Sequence, residues 1–103
     1  MPQISVLYPE ESRQTVQIPK DGLLIGRAAF CDLQISDEFV SARHCKIYFE
    51  NGMLFIEDLG STNGTFIDGT EIGATPRGYP ATKKSILQPG QSIQIGIAVL
   101  KIA

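Results

Sequence analysis

Two-residue turn signals recur at short intervals along this chain, and the runs between them alternate apolar and polar side chains. Asn51-Gly52 separates Cys45–Glu50 from Met53–Leu59, and the segments TFID and TEIG meet at Asp68-Gly69. Asn-Gly and Asp-Gly tolerate the positive φ that tight hairpin turns require, so each pair predicts a hairpin. Gln3–Tyr8 and Gln14–Ile18 alternate in the same way around Pro9-Glu10-Glu11-Ser12. Leu23–Arg27 and Asp32–Ser36 are further short runs, and SILQ, SIQIG and AVLKI follow near the end, broken by Pro89-Gly90 and Gly96. No window of ten or more residues carries a helical period. About eleven short strands bounded this closely predict an all-β sandwich or barrel. Gly73–Lys84 alone breaks the pattern, with two prolines, two glycines and three basic residues, and reads as a long loop.

Length and charge narrow the function classes. The 103 residues suit a single domain, and so short a chain suggests one domain excised from a larger protein. A formal net charge of −2 lacks the basic excess that phosphate-driven nucleic-acid binding needs, so no nucleic-acid partner is expected. Any anion site must be local, with Arg27, Arg43, Arg77, Lys83 and Lys84 as the leading candidates among the nine Lys and Arg residues. Cys31 and Cys45 form no C-x-x-C and no metal-ligand spacing; a disulfide between them is one reading, and two free, buried or half-buried thiols in a reducing compartment is the favoured one. The N-terminus lacks the pattern of a signal peptide, and no apolar stretch reaches bilayer length. The expectation is a cytoplasmic chain without membrane insertion, metal or cofactor.

Three polar clusters lie at strand ends: Gly26-Arg27, Ser41–His44 and Ser61–Thr65. Together they offer a guanidinium, several hydroxyls, an amide and backbone N–H groups in glycine-permitted turns. Donors in concert suit a phosphate, and the planar fork of arginine matches two of its oxygens at once. A hydrolase built on Ser41 and His44, with Asp37 or Asp58 as third member, needs a special turn. Residues three apart in extended chain face opposite sides. Neither a G-x-S-x-G elbow nor a phosphate-binding P-loop is present, so no enzyme is expected.

Read in order, Gly26-Arg27, Ser41-x-x-His44 and Asn63-Gly64 resemble the motif of the forkhead-associated (FHA) domain family. The likeness runs over Leu23–Gly69 and, more weakly, through the C-terminal strands. It implies a SMAD/FHA-like β-sandwich of two twisted, mainly antiparallel sheets, with binding loops at one end. It also implies a non-enzymatic phosphothreonine-recognition module for phosphorylation-dependent protein–protein interaction in Ser/Thr kinase signalling. By position, Arg27 and Ser41 hold the phosphate, Thr62 adds a contact, and Asn63 bonds the main chain of the ligand. Gly26, His44 and Gly64 shape the loops. Where the family commonly has Arg or Asn after the serine, this chain has Ala42, and Arg43 is the nearest substitute. Phe39 implies an apolar or undemanding preference three residues after the phosphothreonine. The alternative is a scaffold or assembly domain that keeps the fold and binds without phosphate.

Overall fold

The computed structural model describes residues 3–7, 13–72 and 82–102. Within them lie eleven strands and no helix: β1 Gln3–Leu7, β2 Arg13–Gln17, β3 Leu23–Gly26, β4 Leu33–Gln34, β5 Cys45–Glu50, β6 Met53–Leu59, β7 Phe66–Ile67, β8 Thr70–Glu71, β9 Thr82–Ile86, β10 Ser92–Ile95 and β11 Ala98–Ile102. They form a six-stranded sheet in the order β2-β1-β11-β10-β7-β8 and a five-stranded sheet in the order β4-β3-β5-β6-β9. Pairing is antiparallel except between β3 and β4.

Sequence alternation becomes sheet alternation. Leu54, Ile56 and Asp58 of β6 turn inward, as do Ile93 and Ile95 of β10 and Ala98, Leu100 and Ile102 of β11. The core between the sheets is rich in β-branched side chains, with Ile4, Ile18, Ile25, Ile35, Ile47, Ile56, Ile93 and Ile95 fully buried. Such side chains lose little rotamer freedom on a pleated surface, so the strands suit the residues that build them.

The hairpin signals act as their chemistry demands. Asn51 and Gly52 sit at φ 53° and 77°, and Asp68 and Gly69 at 48° and 85°, so both pairs are type I′ turns. Two expectations need correction. Asp32–Ser36 contributes a paired strand only at Leu33–Gln34: the Ile35 N–H makes the last β3–β4 bond, to the carbonyl of Gly26 at 2.8 Å, and the Ile35 carbonyl is then taken by the Asp37 N–H at 3.0 Å as the chain turns away. The long loop ends early: Thr82, Lys83 and Lys84 pair with Leu59, Asp58 and Glu57 of β6. The rest of that loop, with Arg77, and the Pro9–Ser12 turn lie outside the described residues.

The topology sorts the connections between two ends. The β3–β4, β4–β5, β6–β7 and β10–β11 connections share one end, where loops pair with loops. The β5–β6, β7–β8 and β9–β10 turns lie at the other.

Candidate functional site

The three polar clusters meet at the first of these ends. Arg27 leaves β3 and donates its N–H to the carbonyl of Ser41 at 2.9 Å, and Ala28 does the same to Ala42 at 3.2 Å. Gly26 makes this approach possible. A Cβ there would lie 2.2 Å from the Ala42 oxygen and 2.9 Å from the Cys31 sulfur. Cys31 donates its thiol to the same Ala42 carbonyl at 3.1 Å, and burial raises its pKa, which keeps the proton on the sulfur.

Ser41 is the bridge to the third cluster. Its Oγ accepts the Thr62 N–H at 3.1 Å, which leaves the hydroxyl proton of Ser41 available to an outside acceptor. Asn63 is exposed and donates from Nδ2 to the Phe39 carbonyl at 2.9 Å. Its Oδ1 and second amide hydrogen have no partner among the described residues. Arg27 and Arg43 are both exposed, and neither forms an ion pair among the described residues. Arg43 lies near enough to Cys31 for its charge to be felt by the thiol. Thr62 is exposed beside them.

His44 is fully buried and committed at both ring nitrogens. Nδ1 accepts the Ser41 N–H at 3.1 Å, and Nε2 donates to the Gly64 carbonyl at 2.9 Å. These bonds require the neutral Nε2–H tautomer. Burial lowers the pKa of His44, opposed by the Gly64 carbonyl and the Asp58 charge. The ring therefore joins the Ser41 loop to the Asn63 loop.

The hydrolase arrangement is not assembled. Ser41 meets His44 through its backbone N–H, its Oγ is turned to Thr62, and both imidazole nitrogens are occupied. Lys84 also stands apart from the site. Its ammonium pairs with Glu50 at 3.2 Å, which raises its pKa, and lies 5.0 Å from the centre of the Phe55 ring.

Asp58 is the residue whose role the sequence reading missed. It follows Leu54 and Ile56 in the inward phase of β6, so its carboxylate enters the core. Oδ2 accepts the N–H groups of Gly60 and Ser61, each at 2.9 Å. Oδ1 accepts the hydroxyls of Ser61 at 2.5 Å and Thr65 at 2.7 Å. Ser61 Oγ in turn accepts the Gly64 N–H at 3.1 Å. The loop that presents Thr62 and Asn63 is folded around this carboxylate. The signal was an acid in phase with core positions, followed closely by two hydroxyls, since a carboxylate there requires nearby donors. All five buried polar residues described, Asp37, His44, Asp58, Ser61 and Thr65, lie at this end. No buried side-chain nitrogen or oxygen among the described residues lacks a partner.

Comparison with known proteins gives consistent matches. The FHA domain family model matches residues 23–96, well over half of the chain. The FHA domain-containing protein FhaB of Mycobacterium tuberculosis is 34% identical over 62 residues, covering 60% of this chain and 40% of that protein. The chain thus spans less than half the length of the curated relatives it matches. The FHA domain of the CT664 protein from Chlamydia trachomatis superposes with a TM-score of 0.81 at 23% identity, covering 99% of this chain and 95% of that one. An FHA domain from a structural and functional analysis of phosphothreonine-dependent FHA domain interactions gives 0.78 at 23% identity, covering 97% and 94%. At that identity these structures show a shared fold. No helix among the described residues is long and apolar enough to cross a membrane.

Proposed function

Because the chain belongs to the FHA domain family, we propose that it recognises phosphothreonine in a partner protein and serves phosphorylation-dependent assembly in Ser/Thr kinase signalling. The observation that carries this reading is the Ser41 bridge. Its Oγ accepts the Thr62 N–H and keeps its own proton free for an external acceptor, while Arg27, whose backbone N–H bonds the Ser41 carbonyl, is exposed and forms no ion pair among the described residues. Arg27 and Ser41 hold the phosphate, Thr62 and Arg43 flank it, and the free amide groups of Asn63 take the peptide main chain. Gly26, His44 and Gly64 hold the loops in place. A phosphate carries a charge of about −1.5 to −2 near neutral pH, and charge-assisted bonds contribute about 1.5–3 kcal/mol each. Several such bonds, with main-chain contacts through Asn63 to offset the ordering cost of association, suit affinity in the micromolar range, about −8 kcal/mol.

Binding without catalysis fits a site whose single histidine is buried in structural bonds. A single domain over residues 1–103, working in the cytoplasm as part of a longer protein, fits the relatives' greater length. One observation favours a phosphate-independent scaffold instead. Ala42 brings no side-chain donor, and its carbonyl is consumed by Ala28 and Cys31. Titration of phosphothreonine peptides and their unphosphorylated twins against the wild type and Arg27→Ala separates the two. The wild type binds only the phosphorylated peptides, and Arg27→Ala binds them about 100-fold more weakly, since two parallel charge-assisted bonds disappear. Equal binding of both peptide forms by the wild type establishes the scaffold reading.

A further inference from the structure

Both asparagines of this chain are followed by glycine. That dipeptide carries a reaction of its own, because glycine has no Cβ to keep the preceding side chain away from its amide nitrogen. The glycine nitrogen gives its proton to solvent base and attacks the asparagine Cγ. A C–N bond closes a cyclic imide, the Cγ–Nδ2 bond breaks, and Nδ2 takes a proton from water and leaves as ammonia. Water then opens the imide at either carbonyl, giving aspartate or isoaspartate. The asparagine side chain must therefore swing onto the next nitrogen, and that nitrogen must be released from any hydrogen bond of its own.

Asn51-Gly52 meets both conditions. The two residues are exposed at the tip of the β5–β6 hairpin, with open space around Gly52. Neither the Asn51 amide nor the Gly52 N–H has a hydrogen-bond partner among the described residues. Glu50 opposite Met53 closes the hairpin beneath them, so the tip can move while the strands stay paired.

Asn63-Gly64 meets neither condition. Asn63 Nδ2 donates to the Phe39 carbonyl at 2.9 Å, which holds the side chain against the neighbouring loop. Gly64 is buried and fixed on both sides: its N–H donates to Ser61 Oγ at 3.1 Å, and its carbonyl accepts from His44 Nε2 at 2.9 Å. Ser61 is itself tied to Asp58 through its N–H and its hydroxyl, so the acceptor of the Gly64 N–H cannot follow a moving peptide.

We propose that Asn51-Gly52 is a site of spontaneous deamidation in the folded protein, and that the bonds around Asn63-Gly64 shield the second Asn-Gly from the same reaction. The network that shapes the binding loop thereby also preserves its amide. At Asn51 the product adds a negative charge at the end remote from Arg27. At Asn63 it would put a carboxylate in the loop assigned to the peptide main chain and, as isoaspartate, lengthen the backbone there. The reaction belongs to the chain itself, so its test stands apart from the phosphothreonine reading.

The full chain is aged at mildly alkaline pH, folded and in denaturant, and followed by fragment-ion mass spectrometry, which places each amide-to-acid conversion at residue 51 or 63. In the folded chain Asn51 converts about 100-fold faster than Asn63, about tenfold for each of the two bonds, from Asn63 Nδ2 and the Gly64 N–H, that must open first. Denaturant brings the two rates together, since each site is then a plain Asn-Gly. Gly52→Ala slows conversion at Asn51 alone. Ser61→Ala removes the acceptor of the Gly64 N–H and speeds conversion at Asn63 by about tenfold. Equal rates at the two asparagines of the folded chain overturn the shielding. An Asn51 that stays intact while the denatured chain converts overturns the modification site. A gap that persists in denaturant shows that the fold is not its cause. If Ser61→Ala does not fold, the folded and denatured wild type still decide.

Discussion

The same dipeptide occurs twice in this molecule and does two different jobs. Asn51-Gly52 turns the β5–β6 hairpin at one end, with both residues at positive φ, both exposed, and empty space where a Cβ of Gly52 would stand. Asn63-Gly64 lies at the other end, where only the glycine has positive φ and that glycine is buried. Its N–H goes to Ser61 Oγ, its carbonyl to His44 Nε2, and the Asn63 amide to Phe39. Local backbone physics explains the first pair completely. The second is defined by what surrounds it, donors and acceptors from other loops that hold it open to solvent. A glycine-permitted turn becomes a site when long-range hydrogen bonds fix it and leave outward donors unpaired.

The strongest way to break this contrast is to remove the carboxylate that supports only the second turn. Asp58→Asn replaces two acceptor oxygens by one and strands N–H or hydroxyl donors in the core, costing about 3 kcal/mol. Denaturant unfolding checks this, and a cost under about 1 kcal/mol would show that the loop holds without its carboxylate. Substituting the two glycines sharpens the comparison at the next scale. Both Gly→Ala variants meet about 1–2 kcal/mol of left-handed strain. Gly64→Ala adds crowding in a buried place and weakens phosphopeptide binding, whereas Gly52→Ala leaves binding untouched.

A smaller effect follows from His44. Its folded pKa lies below the ordinary histidine value of 6.5, so the folded state binds fewer protons than the unfolded state as acid is added. Its full stability contribution is present above pH 6.5 and is lost as pH falls through the folded value. The loss is at most about 1.4 kcal/mol per pH unit. Protonation also removes the acceptor for the Ser41 N–H, so the site end loosens before the hairpin at Asn51-Gly52. Hydrogen exchange at Ser41 and at Gly52, followed between pH 7 and 5, compares the two ends, with His44→Gln as the non-titrating reference.

Much of the sandwich was legible because strands and type I′ turns are local matters. Asn51-Gly52, Asp68-Gly69 and the alternation of β5, β6, β10 and β11 carry their own instructions. The start of β9 was hidden, since nothing in Thr82–Lys84 alternates and its pairing is supplied by β6. The gathering of Arg27, Ser41 and Asn63 could be read only from their order along the chain. The carboxylate supports were harder to read, because Asp58 serves hydroxyls up to seven residues on and Asp37 reaches an amide 60 residues away. Partners chosen by the fold leave only a faint trace in sequence, an acid standing in a core phase.

The most direct test sets the two Asn-Gly pairs side by side. A phosphothreonine peptide and its unphosphorylated twin are titrated by calorimetry against the wild type, Asn63→Ala and Asn51→Ala. Asn63→Ala is expected to bind the phosphopeptide about tenfold or more weakly, through lost hydrogen bonds to the peptide main chain and to Phe39. Asn51→Ala is expected to bind as the wild type does, with a stability loss of about 1 kcal/mol or less from the turn. Equal phosphopeptide affinity in all three proteins would contradict the account, because it would make the second Asn-Gly a turn like the first.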